Sequence, residues 1–195
     1  MGHSQAEKAQ SRERIVGAAA RQVREGGLES VSIADLMKQA KLTHGGFYGH
    51  FPSRSALLAA ALERALFEGE AASIAANKRK GPRTLKSITG NYLSAAHRDD
   101  IGEGCAVAAL LGDVSREEPE VREIMTQRLE LYFSDLARVI GDVPKADELA
   151  VSTWCTMVGA LMLSRLFKGE ERSDAILRIA RKAILDSEAH AKEQV

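Results

Sequence analysis

Apolar residues recur along this chain at intervals of three and four, and no stretch alternates with the two-residue period of a strand. The first helical stretch covers residues 10–24, with Ile15, Val16, Ala19, Ala20 and Val23 on one face, and Gly26 and Gly27 stop it. A short helix follows Ser32, which can cap it, with Asp35 three residues on as a carboxylate variant of the capping box; Ile33, Leu36, Met37 and Ala40 form its apolar face. Lys41 and Leu42 turn the chain. Thr43 can cap a second short helix that Pro52 ends, and Ser53 then caps a long helix reaching residue 77. Leu57, Leu58, Ala61, Leu62, Ala65 and Leu66 make its inner face. A loop is expected at residues 78–83 around Gly81, followed by helices at about 84–98, 105–114, 118–140, 146–167 and 173–191. Pro119 and Pro144 each suit a first-turn position. The expected fold is all-α, with nine helices.

Two of these elements carry a recognisable chemistry. The pair of short helices joined by a tight turn is the helix-turn-helix pattern, whose second helix enters the DNA major groove. Here that helix presents Thr43, His44, Tyr48 and His50, while Phe47 and Phe51 anchor it from behind. Gly45, Gly46 and Gly49 leave room for close approach of the backbone to DNA. Each of them also costs roughly 1 kcal/mol of helix stability relative to Ala, so packing must supply the order that propensity does not. Tyr48, His50 and Arg54 are candidates for phosphate contacts, since hydroxyl, imidazole and guanidinium all donate to phosphate oxygens. Arg24 and Lys41 are placed to add long-range attraction. Packing and hydrogen bonding within the small domain would equally account for Tyr48 and His50.

The stretch from Glu13 to Leu62 resembles the N-terminal DNA-binding module of the TetR/AcrR family of bacterial transcriptional regulators. The residues that carry the resemblance are Ile15, Ala19, Gly27, Ile33, Ala34, Ala40, Gly46, Tyr48, His50, Phe51 and Leu57. Arg54 departs from the lysine usual there, keeping the charge with a different contact geometry. The resemblance implies a helix-turn-helix domain at residues 1–54, with Ser32, Thr43, His44, Gly45, Gly46, Tyr48, His50 and Arg54 facing DNA. It implies a ligand-binding and dimerisation domain at residues 55–195. A homodimeric repressor that binds a palindromic double-stranded operator and is released by a small-molecule inducer follows as the expectation.

Charge and composition agree with that picture only once their distribution is considered. Net charge over the 195 residues is zero. Up to Arg54, however, eight basic residues stand against five acidic ones, so the remainder is acidic by the same margin. With 45% hydrophobic and 28% charged residues the chain reads as a soluble protein able to bury a core. Residues 1–10 lack the apolar core of a signal peptide. The apolar run at 151–163 is short and interrupted by Ser152, Thr153 and Thr156. No membrane association and a cytoplasmic location are therefore expected, as two cysteines also fit.

The helix at 146–167 is apolar nearly all round, so it needs cover on both sides. Gly159 and Ala160 allow a second helix to cross closely, and the last helix repeats Ile176, Ile179, Ala180, Ala183 and Ile184 on one face. The last two helices, at about 146–191, look like half of a four-helix dimer interface, as the resemblance also implies; a core helix buried in a monomer would leave the same pattern. For the inducer, Tyr92, His97, Met125, Tyr132, Phe133, Trp154 and Met157 lie on apolar faces that must converge, although each also serves as plain core. Cys105 opens a helix after Gly102, Glu103 and Gly104, where backbone N–H groups favour a thiolate able to respond to an oxidant or electrophile. A small buried residue is the simpler reading of that position.

No metal or organic cofactor is expected, because phosphate-loop, dinucleotide and His/carboxylate metal spacings are missing from the sequence. Two other classes remain to weigh. A Cys/His enzyme would use His97, Asp100 and Cys105, and a helical scaffold protein would bind only other proteins. Neither is the expectation.

Overall fold

The computed structural model describes residues 5–78 and 82–194, leaving aside the side chains of 73 and 76–78. Among them are nine α-helices, two short 3₁₀ helices and no strand. The chain forms two compact units, residues 1–69 with 105–125 and residues 70–104 with 126–195. The first unit thus extends past the boundary expected at residue 54 and takes in a later segment. Residues 79–81 of the expected loop lie outside the described residues.

The first unit starts with α1 (Gln5–Gly26), which begins five residues before the start expected at residue 10. Its opening Gln5, Ala6, Glu7, Lys8 and Ala9 are good helix formers with no buried face, so they left no periodic signal. Gly27 ends α1 at φ +82°. After a 3₁₀ turn (Leu28–Ser30) comes α2 (Ile33–Gln39), where the Ser32 hydroxyl accepts the Asp35 N–H at 3.3 Å. The exit from α2 is a Schellman turn: Leu42 N–H bonds to Met37 O at 2.8 Å and Lys41 N–H to Lys38 O at 3.0 Å. Lys41 holds the left-handed position, φ +59°, that glycine usually fills.

The second element of the motif is a 3₁₀ helix (His44–Gly49) rather than an α-helix, as its three glycines explain. Thr43 precedes it without a side-chain cap, contrary to expectation; its carbonyl accepts the Gly46 N–H at 3.0 Å instead. Then α3 (Arg54–Lys78) opens with Ser53 Oγ accepting the Ala56 N–H at 3.1 Å. The remaining parts of this unit are α6 (Ala106–Val114), preceded by Cys105 without a side-chain cap, and the start of α7 (Pro119–Ile140), with Pro119 at the first helical position. Ile15, Val23, Leu28, Leu36, Met37, Phe47, Phe51, Leu57, Leu62 and Leu110 are fully buried among its helices.

In the second unit the single helix expected at 84–98 is two: α4 (Leu85–Tyr92) and α5 (Ala95–Asp99). Ser94 makes the break, accepting the His97 N–H at 3.2 Å and donating to Asn91 O at 2.8 Å. Thr84 and Ser87 form a reciprocal capping box at the start of α4. Pro144 lies ahead of α8 (Ala146–Leu166), not in its first turn, because left-handed Lys145 intervenes. α8 packs along α9 (Glu171–Lys192), and the core between the helices is Leu85, Ile88, Leu93, Leu136, Ile140, Ala150, Met157, Ala160, Leu177, Ala180 and Ile184. Arg98 locks α5 to the start of α9 through Ser173 Oγ at 2.8 Å and Asp174 Oδ1 at 2.6 Å.

Candidate functional site

The site builds up from two buried rings. Phe47 and Phe51 stack at 5.7 Å in the core of the first unit, with the Phe51 N–H bonded to Phe47 O at 3.0 Å. The 3₁₀ turn is thereby anchored by its inward residues, and its outward ones are left for other work. Tyr48 leans edge-on against Phe47, ring centroids 5.3 Å apart, and stays 72% exposed. Thr43, His44, Gly45 and Gly49 are exposed as well, and open space surrounds Gly45 and Gly49 where a Cβ would project. Gly46 is half-buried against Met37. An apolar side chain as exposed as Tyr48, on a segment so poor in propensity, has no stabilising role in the folded chain that its burial would reveal.

The other expected contact residues are less available. Ser32 is engaged as the α2 cap. His50 is half-buried, with Nδ1 screened from solvent. Arg54 is turned into the module, donating to Leu28 O at 3.0 Å and lying 3.6 Å from a Glu29 carboxylate oxygen. Arg24, expected to attract DNA from a distance, is buried instead, donating to Ala65 O at 3.3 Å and Glu68 at 3.0 Å. It stands four residues after Ala20, on the apolar face itself, but its charge makes it read as a surface cation. Lys41 remains exposed. A further cation, Arg12, sits over the Phe51 ring at 5.0 Å from guanidinium carbon to centroid, a pairing across 39 positions that no sequence spacing announces.

In the second unit four of the expected ligand residues form one aromatic cluster. Tyr132 stacks on Trp154 at 5.0 Å, Tyr92 meets Trp154 edge-on at 5.7 Å, and His97 meets Tyr92 edge-on at 4.7 Å. Trp154 Nε1 donates to Tyr132 O at 3.3 Å. Met157 is buried in the adjoining core, while Phe133 is half-buried. Met125 and Cys105 belong to the first unit, so the expected set does not form one group within either unit. Met125 is buried there, and Cys105 is half-buried at the cap of α6.

His97 Nδ1 lies 2.8 Å from Tyr92 O, which can only accept, so the proton sits on Nδ1. Burial, reinforced by the nearby Arg165 charge, lowers the imidazole below its ordinary value of 6.5, although the Tyr92 bond and Asp100 pull the other way. A histidine depressed in this way stabilises the fold above pH 6.5 and loses that contribution as pH falls through its folded value. The melting temperature should therefore fall less between pH 7.5 and 5.5 in His97→Gln than in the parent. Equal falls in the two proteins, followed by circular dichroism, would refute the assignment.

Comparisons with known proteins agree with this architecture. Residues 15–61 match the bacterial regulatory proteins, tetR family, and residues 81–180 match the tetracyclin repressor-like C-terminal domain. An HTH-type transcriptional regulator found in two strains of Mycobacterium tuberculosis is 29% identical over 185 residues, covering 89% of this chain and 94% of its own. Among solved structures, a TetR-family transcriptional regulator from Cytophaga hutchinsonii superposes with a TM-score of 0.79 at 19% identity, over 95% of this chain and 98% of that one. A putative transcriptional regulator from Saccharomonospora viridis, solved in complex with choline, gives 0.67 at 19% identity, over 91% and 95%. The chain with the exposed Tyr48 turn and the paired α8–α9 helices belongs to the TetR family of transcriptional regulators, with a helix-turn-helix DNA-binding domain at its N-terminus.

Proposed function

We propose that this regulator is a homodimeric repressor whose two helix-turn-helix modules bind a palindromic operator and let go when a small molecule occupies the second unit. The observation that carries the reading is the 44–49 turn, exposed at His44, Gly45 and Tyr48 while Phe47 fixes it from below. Tyr48 supplies a hydroxyl for phosphate, and the bare glycines let the main chain come close to the duplex. Dimerisation through α8 and α9 is supported by the apolar side chains those helices expose, Val151, Met162, Leu163, Leu166 and Ile179. The aromatic cluster of Tyr92, His97, Tyr132 and Trp154 supports an apolar ligand site with few polar groups. α3, like α7, starts in the first unit and continues into the second, so it is a covalent route for a signal. A ligand acts along it only by preferring the DNA-incompetent state, typically by about 1–3 kcal/mol.

The experiment is a titration of the protein against duplex DNA from upstream of its own coding region, at several salt concentrations. A salt-sensitive complex is expected. A hydrogen bond to a charged partner is worth about 1.5 kcal/mol or more, so Tyr48→Ala, acting twice per dimer, should weaken it on the order of a hundredfold. Gly45→Ala should also weaken it while leaving the melting temperature unchanged or raised, because the added methyl meets no protein atom and helps the helix. Full affinity in both variants would refute the role given to this turn.

A further inference from the structure

The cations of the first unit fall into two groups. Arg21 is paired with Glu25 at 2.8 Å, Arg24 with Glu68 at 3.0 Å, Arg64 with both Glu13 and Glu68, Arg116 with Asp113 at 3.1 Å, and Arg54 is bound to the Leu28 carbonyl and Glu29. Lys8, Arg12, Arg14, Lys38, Lys41 and Arg122 join no carboxylate among the described residues; Arg14 donates to Ser11 Oγ at 3.1 Å, and Arg122 lies on α7, far in sequence from the 44–49 turn. The three lysines have only their own flexible stems to aim them. Arg12 differs, because its guanidinium is held over the Phe51 ring.

That placement has a chemical consequence. A guanidinium held over a ring by its charge makes that contact without committing an N–H to a carboxylate, so its donors remain for another acceptor. The ring itself is immobile, since Phe51 is buried, stacked on Phe47 and hydrogen-bonded to it. Phe47 in turn carries Tyr48 edge-on. Arg12 and Tyr48 are therefore fixed to a single row of aromatic rings, and the row ends beside the α3 start, where no acidic residue occupies the first turn. An exposed, pre-oriented fork of donors at the end of that row is suited to an anion with two oxygens to offer.

We propose that Arg12 is a phosphate clamp, gripping the DNA backbone beside the groove that the 44–49 turn enters. The inference rests on the DNA-binding reading above. It extends the interface to α1, and assigns the contact to Arg12 rather than to the internally bonded Arg54. Phosphate contacts position the protein without reading sequence, so the effect should be uniform across operator variants.

The test compares parent, Arg12→Ala, Arg12→Lys and Arg21→Ala in operator titrations from 50 to 200 mM salt. Each dimer would lose two phosphate contacts in Arg12→Ala. The slope of log affinity against log salt should then shrink by about 1.8, so that the parent's loss of affinity over this range exceeds the variant's by roughly twelvefold. Arg12→Lys should keep the slope but bind more weakly, having charge without the fork. Arg21→Ala, which removes an ion-paired arginine from the same helix, should match the parent. The melting temperature of every variant is recorded alongside. An Arg12→Ala slope equal to the parent's refutes the clamp and leaves DNA binding intact, as does a slope equally reduced in Arg21→Ala. A parent that forms no complex at any salt refutes the DNA-binding reading itself.

Discussion

Replacing Glu68 with Gln is expected to destabilise the protein by about 3 kcal/mol, the largest effect of any single charge removal in the first unit. The Arg24 side chain is only 1% exposed, and its guanidinium pairs with the Glu68 carboxylate and also donates to the Ala65 carbonyl. Glu68 is 29% exposed and shared with Arg64 at 2.6 Å, so some of the cost is recovered by solvent and the estimate sits at the low end for a broken buried pair. At 195 residues, 3 kcal/mol corresponds to roughly 6–12 °C in melting temperature. The contrast is Glu13→Gln, which removes a 59%-exposed partner of Arg64 and should cost less than about 1 kcal/mol. Equal melting temperatures for the two variants would show that the network is a surface decoration.

The same network sets an acid limit. Burial alone would raise the Glu68 carboxyl, but hydrogen bonds from Arg64 and then Arg24, with their charges, outweigh it and hold the group below its ordinary 4.5. The contribution is complete above that value and disappears as pH falls through the folded one. It works at neutral pH, therefore, and acid unfolding below about pH 4.5 should be less steep in Glu68→Gln.

How much of this was legible beforehand follows from which interactions leave periodic traces. The positions of α2, α3 and α7 to α9 could be read because burial selects apolar residues every three or four places, and Ser32 and Ser53 announce their helices by local chemistry. The opening of α1 could not, since a helix held by propensity alone has no face to display. Nor could the break at Ser94, where a cap falls inside an otherwise continuous helical pattern. In the proposed interface, Thr43, His44, Gly45 and Tyr48 stood out because unhelical residues in a short helix demand another purpose. Arg24, Arg54 and Arg12 were a different problem. All three are basic residues beside the motif, and only tertiary pairing distinguishes the one bound to Glu68, the one bound to Leu28 and the one laid on Phe51. Charge counted along the sequence treats them alike.

The largest effect on operator binding should come from a site far from the motif in sequence. On α8, Val151, Cys155, Gly159, Met162 and Leu166 follow one another at intervals of four, four, three and four, which makes a single stripe. Leu166 is 79% exposed, and Ile179 on α9 is 59% exposed. Under the proposed dimer these side chains are covered by the partner's copy. The doubly charged variant Met162→Lys with Ile179→Lys would then forfeit about 1.5–3 kcal/mol of apolar burial at each position in each protomer, and place like charges without partners in the interface. It should sediment as a monomer at micromolar concentration. A monomer engages one half-site at a time, and losing the linked second half-site lowers affinity by roughly 10²–10⁴-fold. Leu131→Lys provides the control: this residue is 60% exposed on α7, away from the α8–α9 stripe in sequence, and its replacement should leave dimer and operator affinity as they were. A double variant that stays dimeric and binds with parental affinity would remove α8 and α9 from the interface. Dissociation caused by Leu131→Lys would move the interface to α7. Monomers that still bind the operator at parental strength would instead separate recognition from dimerisation, because two modules about 34–36 Å apart would no longer be needed to hold the duplex.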